Sequence, residues 1–313
     1  MIKTYTAMPA ANPQVALNTL TCEPSQPMKI HGIIQIIHGM TEHIDRYEAF
    51  AEYFTSKGYV VVGHDLEGHG RSKNPKSSAL YFEHWENNLA DIKTVRKMIR
   101  KKYPKEPIFI LGFSLGSFLV RCMGNDLQNY DGQILAGTGY QPTAVLSAMR
   151  FYLKTKYRKH MSMPCEEIKK LAFDQYNTQF KERPDDYWLI TDDKIRNEYY
   201  DDHLVNKSFS PQFFCEFLKG MVIANHNVKH LDSQPPIPTL LIHGKDDPVA
   251  GTNYEANIVD RYRKHCIMTS KSYPYHTHDI MHDVKSELVF QDIEKFIVNN
   301  EFVNNPRLKH SVL

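Results

Sequence analysis

The segment "GFSLGS", residues 112–117, places Ser114 between glycines two positions before and two positions after it. An apolar run, "PIFIL", leads into it, and a helical pattern follows. In a strand–turn–helix setting such a serine occupies a strained backbone turn, so its flanking positions must be small; Ser117 is small as well. The turn would lift the Ser114 hydroxyl above a sheet, with the N–H groups of the next helix aimed at developing negative charge. That is the chemistry of nucleophilic attack on an acyl carbon. The plainer alternative is a glycine-bounded turn carrying an ordinary serine.

A serine hydroxyl is a poor nucleophile at neutral pH and needs an adjacent base, itself oriented by a carboxylate. The expected chain order is serine, then acid, then histidine. "TLLIHG" reads as a strand, and "KDDPVA" after it puts Asp246 and Asp247 on the loop at the strand's C-terminal end. Catalytic groups collect at that end in open α/β sheets. Asp247 is favoured because it lies three residues past Gly244 with Pro248 fixing the turn; Asp246 stays as the alternative. For the base, "YPYHTHDIMHD" offers His276, His278 and His282. A helix beginning within "HDIMHD" would leave His278 at the exposed turn and take His282 into the helix, so His278 is favoured. The three histidines with Asp279 and Asp283 also admit a metal-ligand reading through their H-x-H spacing. One triad histidine already accounts for the location, and no second ligand cluster answers it. For the oxyanion, the expected donors are the backbone N–H of Leu115 and that of Met40 in "HGMTEH", residues 38–43.

The elements needed to position these groups follow from the periodicity. "TYTAM" and "QVALNTLTC" form an early hairpin at a sheet edge, and "IHGIIQIIHG" is a buried strand. A helix through Tyr47, Phe50, Ala51 and Phe54 stops at Gly58, and "YVVVGHD" is the next strand. A helix over 83–102, the strand "EPIFILGF", a helix over 115–127 and the strand "GQILAG" continue the alternation, which implies a parallel sheet covered on both faces. From 138 to 232 the pattern is helical, aromatic and charged. Regularity returns after Pro235, Pro236 and Pro238, with "TLLIHG", a helix over 254–263, a strand near "CIMTSKSY" and a helix over 284–298. The expected organisation is an α/β core from 1–137 and 233–313 with a helical cap over 138–232. The tail over 304–313 reads as disordered. "GHGRS" lacks the spacing and lysine of a phosphate loop, and Asp65 and Arg71 read as loop-fixing partners.

Within the cap, residues 145–160 carry an apolar stripe of Leu146, Met149, Leu153 and Tyr157 beside a basic row of Arg150, Lys154 and Arg158. This is either a helix packed on the core with a solvated face or one that rests on an anionic membrane and admits lipid. The aromatics Phe173, Tyr176, Phe180, Trp188, Phe213, Phe214 and Phe217 fit an apolar tunnel or the cap's own core. A net charge of +2 over 313 residues gives no field that points to nucleic acid. No window reaches the roughly 18 consecutive apolar residues of a membrane span. The five cysteines are scattered without framework spacing, as expected of reduced thiols, so a cytoplasmic setting is the expectation.

"HGMTEHIDRY", "HDLEGHGRS", "GFSLGS", "LLIHGKDDPV" and "HTHDIMHD", in this order, resemble the monoacylglycerol lipase and lysophospholipase group, which includes serine aminopeptidase-like α/β hydrolases. The likeness spans roughly 30–130 and 235–298; the cap carries no motif that matches. It implies the α/β-hydrolase fold, a triad of Ser114, Asp247 and His278, oxyanion donors at Met40 and Leu115, and no cofactor. Two positions depart from the group: Phe113 stands where monoglyceride lipases usually have histidine, and Ser117 where glycine is usual. Phe113 weakens the case for glycerol recognition. The expected activity is hydrolysis of a carboxylic ester with a medium or long acyl chain, a monoglyceride or lysophospholipid, through an acyl-enzyme. An aminopeptidase or amidase is the rival, and it would need an acidic or polar anchor for a substrate amine, for which the cap offers Asp185, Asp186, Asp192 and Asp193. Acyl transfer and a non-catalytic binding scaffold are the remaining alternatives.

Overall fold

The computed structural model describes residues 1–233, 236–251 and 253–300. The tail over 304–313 and Pro235 lie outside the described residues. The strands are β1 (Ile2–Pro9), β2 (Ala16–Glu23), β3 (Gly32–Ile37), β4 (Tyr59–His64), β5 (Ile108–Phe113), β6 (Gly132–Ala136), β7 (Thr239–Gly244) and β8 (Met268–Tyr273). They form one sheet in the order β1-β2-β4-β3-β5-β6-β7-β8. β1 and β2 pair antiparallel, as do β2 and β4; the remaining pairs are parallel. β3, β4, β5 and β6 are buried along their whole length, which is why their sequences read as continuous apolar runs rather than alternating ones. The edge strand β8 instead exposes Thr269, Ser270, Lys271 and Ser272, polar residues that discourage further pairing.

Alternate residues of the inner strands serve two apolar layers. On one face Ile33, Val60, Ile108 and Ile110 pack with Trp85 and Ile92 of α2 (Trp85–Lys102) and Leu119 of α3 (Leu115–Cys122). On the other face Ile34, Val61, Phe109 and Leu111 meet Phe50 and Phe54 of α1 (Glu48–Thr55). The helix α3 is shorter than the expected 115–127, because Gly124 takes φ +55° and a 3₁₀ turn, Gly124–Asn129, follows.

Between β6 and β7 lie α4 (Thr143–Lys156), α5 (Glu166–Asn177), α6 (Asp193–Asp201) and α7 (Pro211–Lys229). Asp192 caps α6 by accepting from the Lys194 and Ile195 amides, and Ser210 caps α7 with Pro211 at the first helical position. These helices do not build a separate interior. Leu146, Leu153, Phe213 and Phe214 belong to the same cluster as Ile37 and Leu119, while only Ile190, Tyr199 and Val205 form a small group of their own. The chain closes with α8 (Asp260–His265), which continues a π turn at Glu255–Val259, and α9 (Ser286–Asn300). The apolar face of α9, through Phe290 and Ile293, packs beside α1.

The helix α9 begins at Ser286, so His282 sits in the turn before it rather than on it, contrary to the sequence expectation. Lys285 takes φ +61° there, which no helical residue can adopt. The five cysteines are all free thiols, and among the described residues no helix is long and apolar enough to cross a membrane.

Candidate active site

β5 carries Ser114 to the C-terminal edge of the sheet, where the backbone turns at φ +49° and ψ −115° into α3. That conformation is sparsely populated for a residue with a side chain and persists only because its surroundings over-determine it. Here the Ser114 amide donates to Ala136 O at 2.8 Å, and the Ser114 carbonyl accepts from the Ser117 amide at 2.9 Å and the Ser117 hydroxyl at 2.6 Å. Ser117 therefore fixes the turn where the group usually has glycine. The flanking glycines have a direct steric reason. A Cβ on Gly112 would lie 2.5 Å from Gly116 O, and one on Gly116 would lie 2.0 Å from Ile37 O. No side chain fits between the start of α3 and the end of β3.

The loops after β7 and β8 bring Asp247 and His278 to this serine. His278 Nε2 lies 2.8 Å from Ser114 Oγ, and His278 Nδ1 lies 3.0 Å from each carboxylate oxygen of Asp247. Asp247 and His278 are buried, whereas Asp246 is exposed and, among the described residues, engages through its amide on His276 O. Burial opposes a charge on His278, but the Asp247 carboxylate outweighs it and raises the imidazole pKa above its ordinary 6.5. The other histidines turn elsewhere: His276 Nε2 faces Val284 O at 2.7 Å, and His282 Nδ1 faces Asp279 Oδ1 at 2.8 Å. Asp283 accepts from Thr191. No group of these side chains converges as a ligand set among the described residues.

Met40 lines the cleft together with Ser114 and His278. Among the described residues neither the Met40 nor the Leu115 amide is taken up by a backbone acceptor. The Met40 loop is held by groups that sequence reasoning did not single out. Glu42 Oε1 accepts from the Gly39 amide and, at 3.0 Å, from the Tyr47 hydroxyl. Glu42 Oε2 pairs with Arg46, whose guanidinium also reaches Asp279 at 3.3 Å. Burial would raise the Asp279 pKa, but His282 and Arg46 hold it well below the ordinary carboxylate range. Asp279 directly follows His278, so one buried charge network ties the oxyanion loop to the histidine loop. His38 completes the loop by accepting from the Leu66 amide at 2.9 Å. Asp65 is a loop-fixing residue, accepting from the Ile44 and Arg71 amides and the Asn18 side chain. Arg71 pairs with Asp45.

The segment between α5 and α6 touches the site through backbone as well as side chains. Trp188 O accepts from the His278 amide at 3.0 Å, and Leu189 O accepts from the Asp279 amide at 2.8 Å. The cleft over Ser114, of about 100 Å³, is walled by Phe113, Phe173, Tyr176, Trp188 and Phe217 among others. The Phe113 ring lies 5.2 Å from that of His278 and makes that wall apolar. A second cavity of about 220 Å³ continues past Met40, Phe118 and Phe173 under α4, α5 and α7, and Phe214 lines it. Phe180 and Phe213 line neither: Phe180 packs on Tyr187, and Phe213 on Phe82. Of the four candidate acidic anchors only Asp186 reaches the cleft. Asp185 is exposed, Asp192 caps α6 and Asp193 pairs with Arg196.

A mostly parallel sheet with a serine elbow after an inner strand and a histidine after the last strand defines an α/β hydrolase. The chain belongs to the serine aminopeptidase S33 family, whose model matches residues 28–285. It is 24% identical over 279 residues to a monoacylglycerol lipase of Mycolicibacterium smegmatis, covering 86% of this chain and 89% of that protein. It is 25% identical over 273 residues to a monoglyceride lipase homolog of monkeypox virus, covering 85% and 89%. Its fold is similar to that of a thermostable carboxyl esterase from Bacillus coagulans solved with glycerol, with a TM-score of 0.84 at 23% identity over 96% of this chain and 99% of that one.

Proposed function

We propose that this protein hydrolyses carboxylic esters of lipid-like acyl chains, such as a monoglyceride or lysophospholipid, through a covalent acyl-enzyme on Ser114. The observation that carries this is the unbroken relay from Asp247 through His278 to Ser114 Oγ at the mouth of an apolar cleft. Ser114 Oγ attacks the ester carbon as its proton passes to His278 Nε2. The Met40 and Leu115 amides hold the oxyanion, and His278 returns the proton to the departing alcohol oxygen. Water then gives a proton to the same nitrogen, attacks the acyl carbon and releases the carboxylic acid and free Ser114. Residues 138–232 act as a cap over a core of 1–137 and 233–313. The names of the relatives above support the ester reading. So does the second cavity, which has no charged side chain among its lining residues and suits an acyl chain.

The aminopeptidase rival is disfavoured by Asp186. Its two carboxylate oxygens already accept from Trp188 Nε1 and the Tyr200 hydroxyl, and Lys169 and Lys207 share the cleft with it. A substrate ammonium would meet two cations beside one committed carboxylate. The test is a panel of p-nitrophenyl esters of increasing chain length beside monoacylglycerols and aminoacyl amides. The specificity constant is expected to rise about fourfold per added methylene until the cavity is filled. A preference for aminoacyl amides over every ester overturns the substrate class.

Cap contact with an anionic membrane is a second proposal, carried by α4. Its Phe151 is 74% exposed, Val145 53% and Tyr152 46%, beside exposed Lys154 and Lys156. Arg150, expected in the same basic row, instead turns inward, its Nε donating to Cys215 O at 3.0 Å. Apolar side chains ringed by lysines suit a headgroup boundary. Co-sedimentation with phosphatidylglycerol vesicles is expected to exceed that with phosphatidylcholine vesicles and to fall several-fold in Phe151→Asp. Equal binding to both lipids removes this proposal.

A further inference from the structure

The cleft over Ser114 and the cavity beyond it share Met40, Phe118, Phe173, Tyr176, Phe217 and Val249, yet they differ in charge. The distal cavity has no charged lining residue. The part nearest Ser114 has three: Lys169 from α5, Lys207 from the segment between α6 and α7, and Asp186. Both lysines are half-buried, and neither forms an ion pair among the described residues. The Lys207 ammonium stands 4.0 Å above the Tyr200 ring and 5.5 Å from that of Tyr199, so aromatic faces hold it in place.

Two ammonium groups brought together in a partly desolvated cleft repel each other unless an anion lies between them. Burial first, and then the neighbouring charge of Lys169, lower the Lys207 pKa, while Asp186 and Asp201 oppose this only in part. Asp201 lies outside the cleft lining, so within the cleft two cations face one carboxylate and the local field favours an anionic ligand. Hydrocarbon gains nothing beside an ammonium group and belongs in the uncharged cavity. The charged arm is then left for the alcohol side of the ester.

We propose that Lys169 and Lys207 form an anion subsite for the leaving group, and that the preferred substrates are acyl esters whose alcohol carries a phosphate. This rests on the ester-hydrolase reading above and narrows it from lipid esters in general to phosphorylated ones. Phe113 fits the same assignment, because its ring beside His278 offers no hydrogen bond to a neutral glycerol.

The test separates binding from turnover. Calorimetric titration of Ser114→Ala protein would compare an octyl glycerol ether with its phosphate monoester and with a carboxylate-bearing analogue, none of which can be hydrolysed. The phosphate form is expected to bind about tenfold more tightly than the neutral ether, with the gap closing in Lys169→Met/Lys207→Met and persisting in the double arginine variant. In parallel, the ratio of specificity constants for octanoyl glycerol phosphate over octanoyl glycerol is expected to be about ten in the unmodified protein and to fall toward one in the double methionine variant. Equal binding of neutral and phosphate ethers, or a gap that survives the methionine substitutions, overturns the subsite. Tighter binding of the carboxylate analogue overturns the phosphate assignment. If no ester is turned over while the phosphate preference persists, the hydrolase reading fails and the subsite stands.

Discussion

Ser114→Ala is expected to reduce ester turnover by about 10⁵- to 10⁶-fold, leaving the residual rate that oxyanion donors and substrate binding supply without a nucleophile. The change removes one hydroxyl whose side-chain contact is His278 Nε2 at 2.8 Å. The turn itself is fixed by backbone bonds to Ala136 and Ser117, so the variant should fold and melt close to the parent. Rates, together with labelling by a fluorophosphonate probe, read the outcome directly. The probe should modify Ser114 in the parent and nothing in the variant. A double Ser114→Ala/His278→Ala protein should be no slower than the single, because the residues act as one unit. Retention of more than about one-hundredth of the parent rate would remove Ser114 from the mechanism, and absence of labelling in the parent would restore the binding-scaffold alternative.

Asp247→Asn should cost about 10⁴-fold in kcat, the scale seen when the orienting carboxylate of a serine triad becomes an amide. Asp247 presents both oxygens to His278 Nδ1 and can only accept, which forces the proton onto Nδ1 and leaves Nε2 free to take the serine proton. An amide nitrogen in that place would favour the opposite tautomer. The pH profile supplies a second readout. Acylation needs neutral His278, so the acidic limb follows its pKa, which in the parent is raised above 6.5 against burial. Without the Asp247 carboxylate, burial is opposed only by the smaller contributions of Asp279 and Glu42, and the limb should move to lower pH. Asp246→Asn, at an exposed position, should leave rate and profile unchanged within about twofold. A larger loss at Asp246 than at Asp247 would reverse the assignment of the acid.

Residues whose placement depends on local pattern were legible in the chain. Ser114 is read from two glycines because the steric demand at Gly112 and Gly116 is local to one turn. The inner strands are read from unbroken apolar runs because both sheet faces are covered. Asp247 and His278 follow from the ends of β7 and β8. Residues whose roles depend on distant partners were not legible. Glu42, Arg46, Asp279 and His282 form one buried network, but Arg46 and Asp279 are 233 positions apart and no spacing rule joins them. Lys169 and Lys207 sit in helices and connections whose own periodicity marks them only as solvated charges. The placement of His282 failed for a local reason of another kind: the pattern "HDIMHD" is compatible with a helix, and Lys285 with its left-handed backbone delays α9 to Ser286. Arg150 reads as part of an outward basic row on α4 until α7 supplies Cys215 O as its acceptor.

The two backbone bonds that His278 and Asp279 donate to Trp188 and Leu189 tie the His278 loop to the turn between α5 and α6. Lifting that stretch away from the sheet would strip His278 of a fixed amide partner and loosen the Nδ1 contact with Asp247. Access to the cleft and alignment of the base are therefore thermodynamically linked rather than independent. By reciprocity, whatever fixes His278 against Asp247 also favours the docked position of the Trp188–Leu189 stretch.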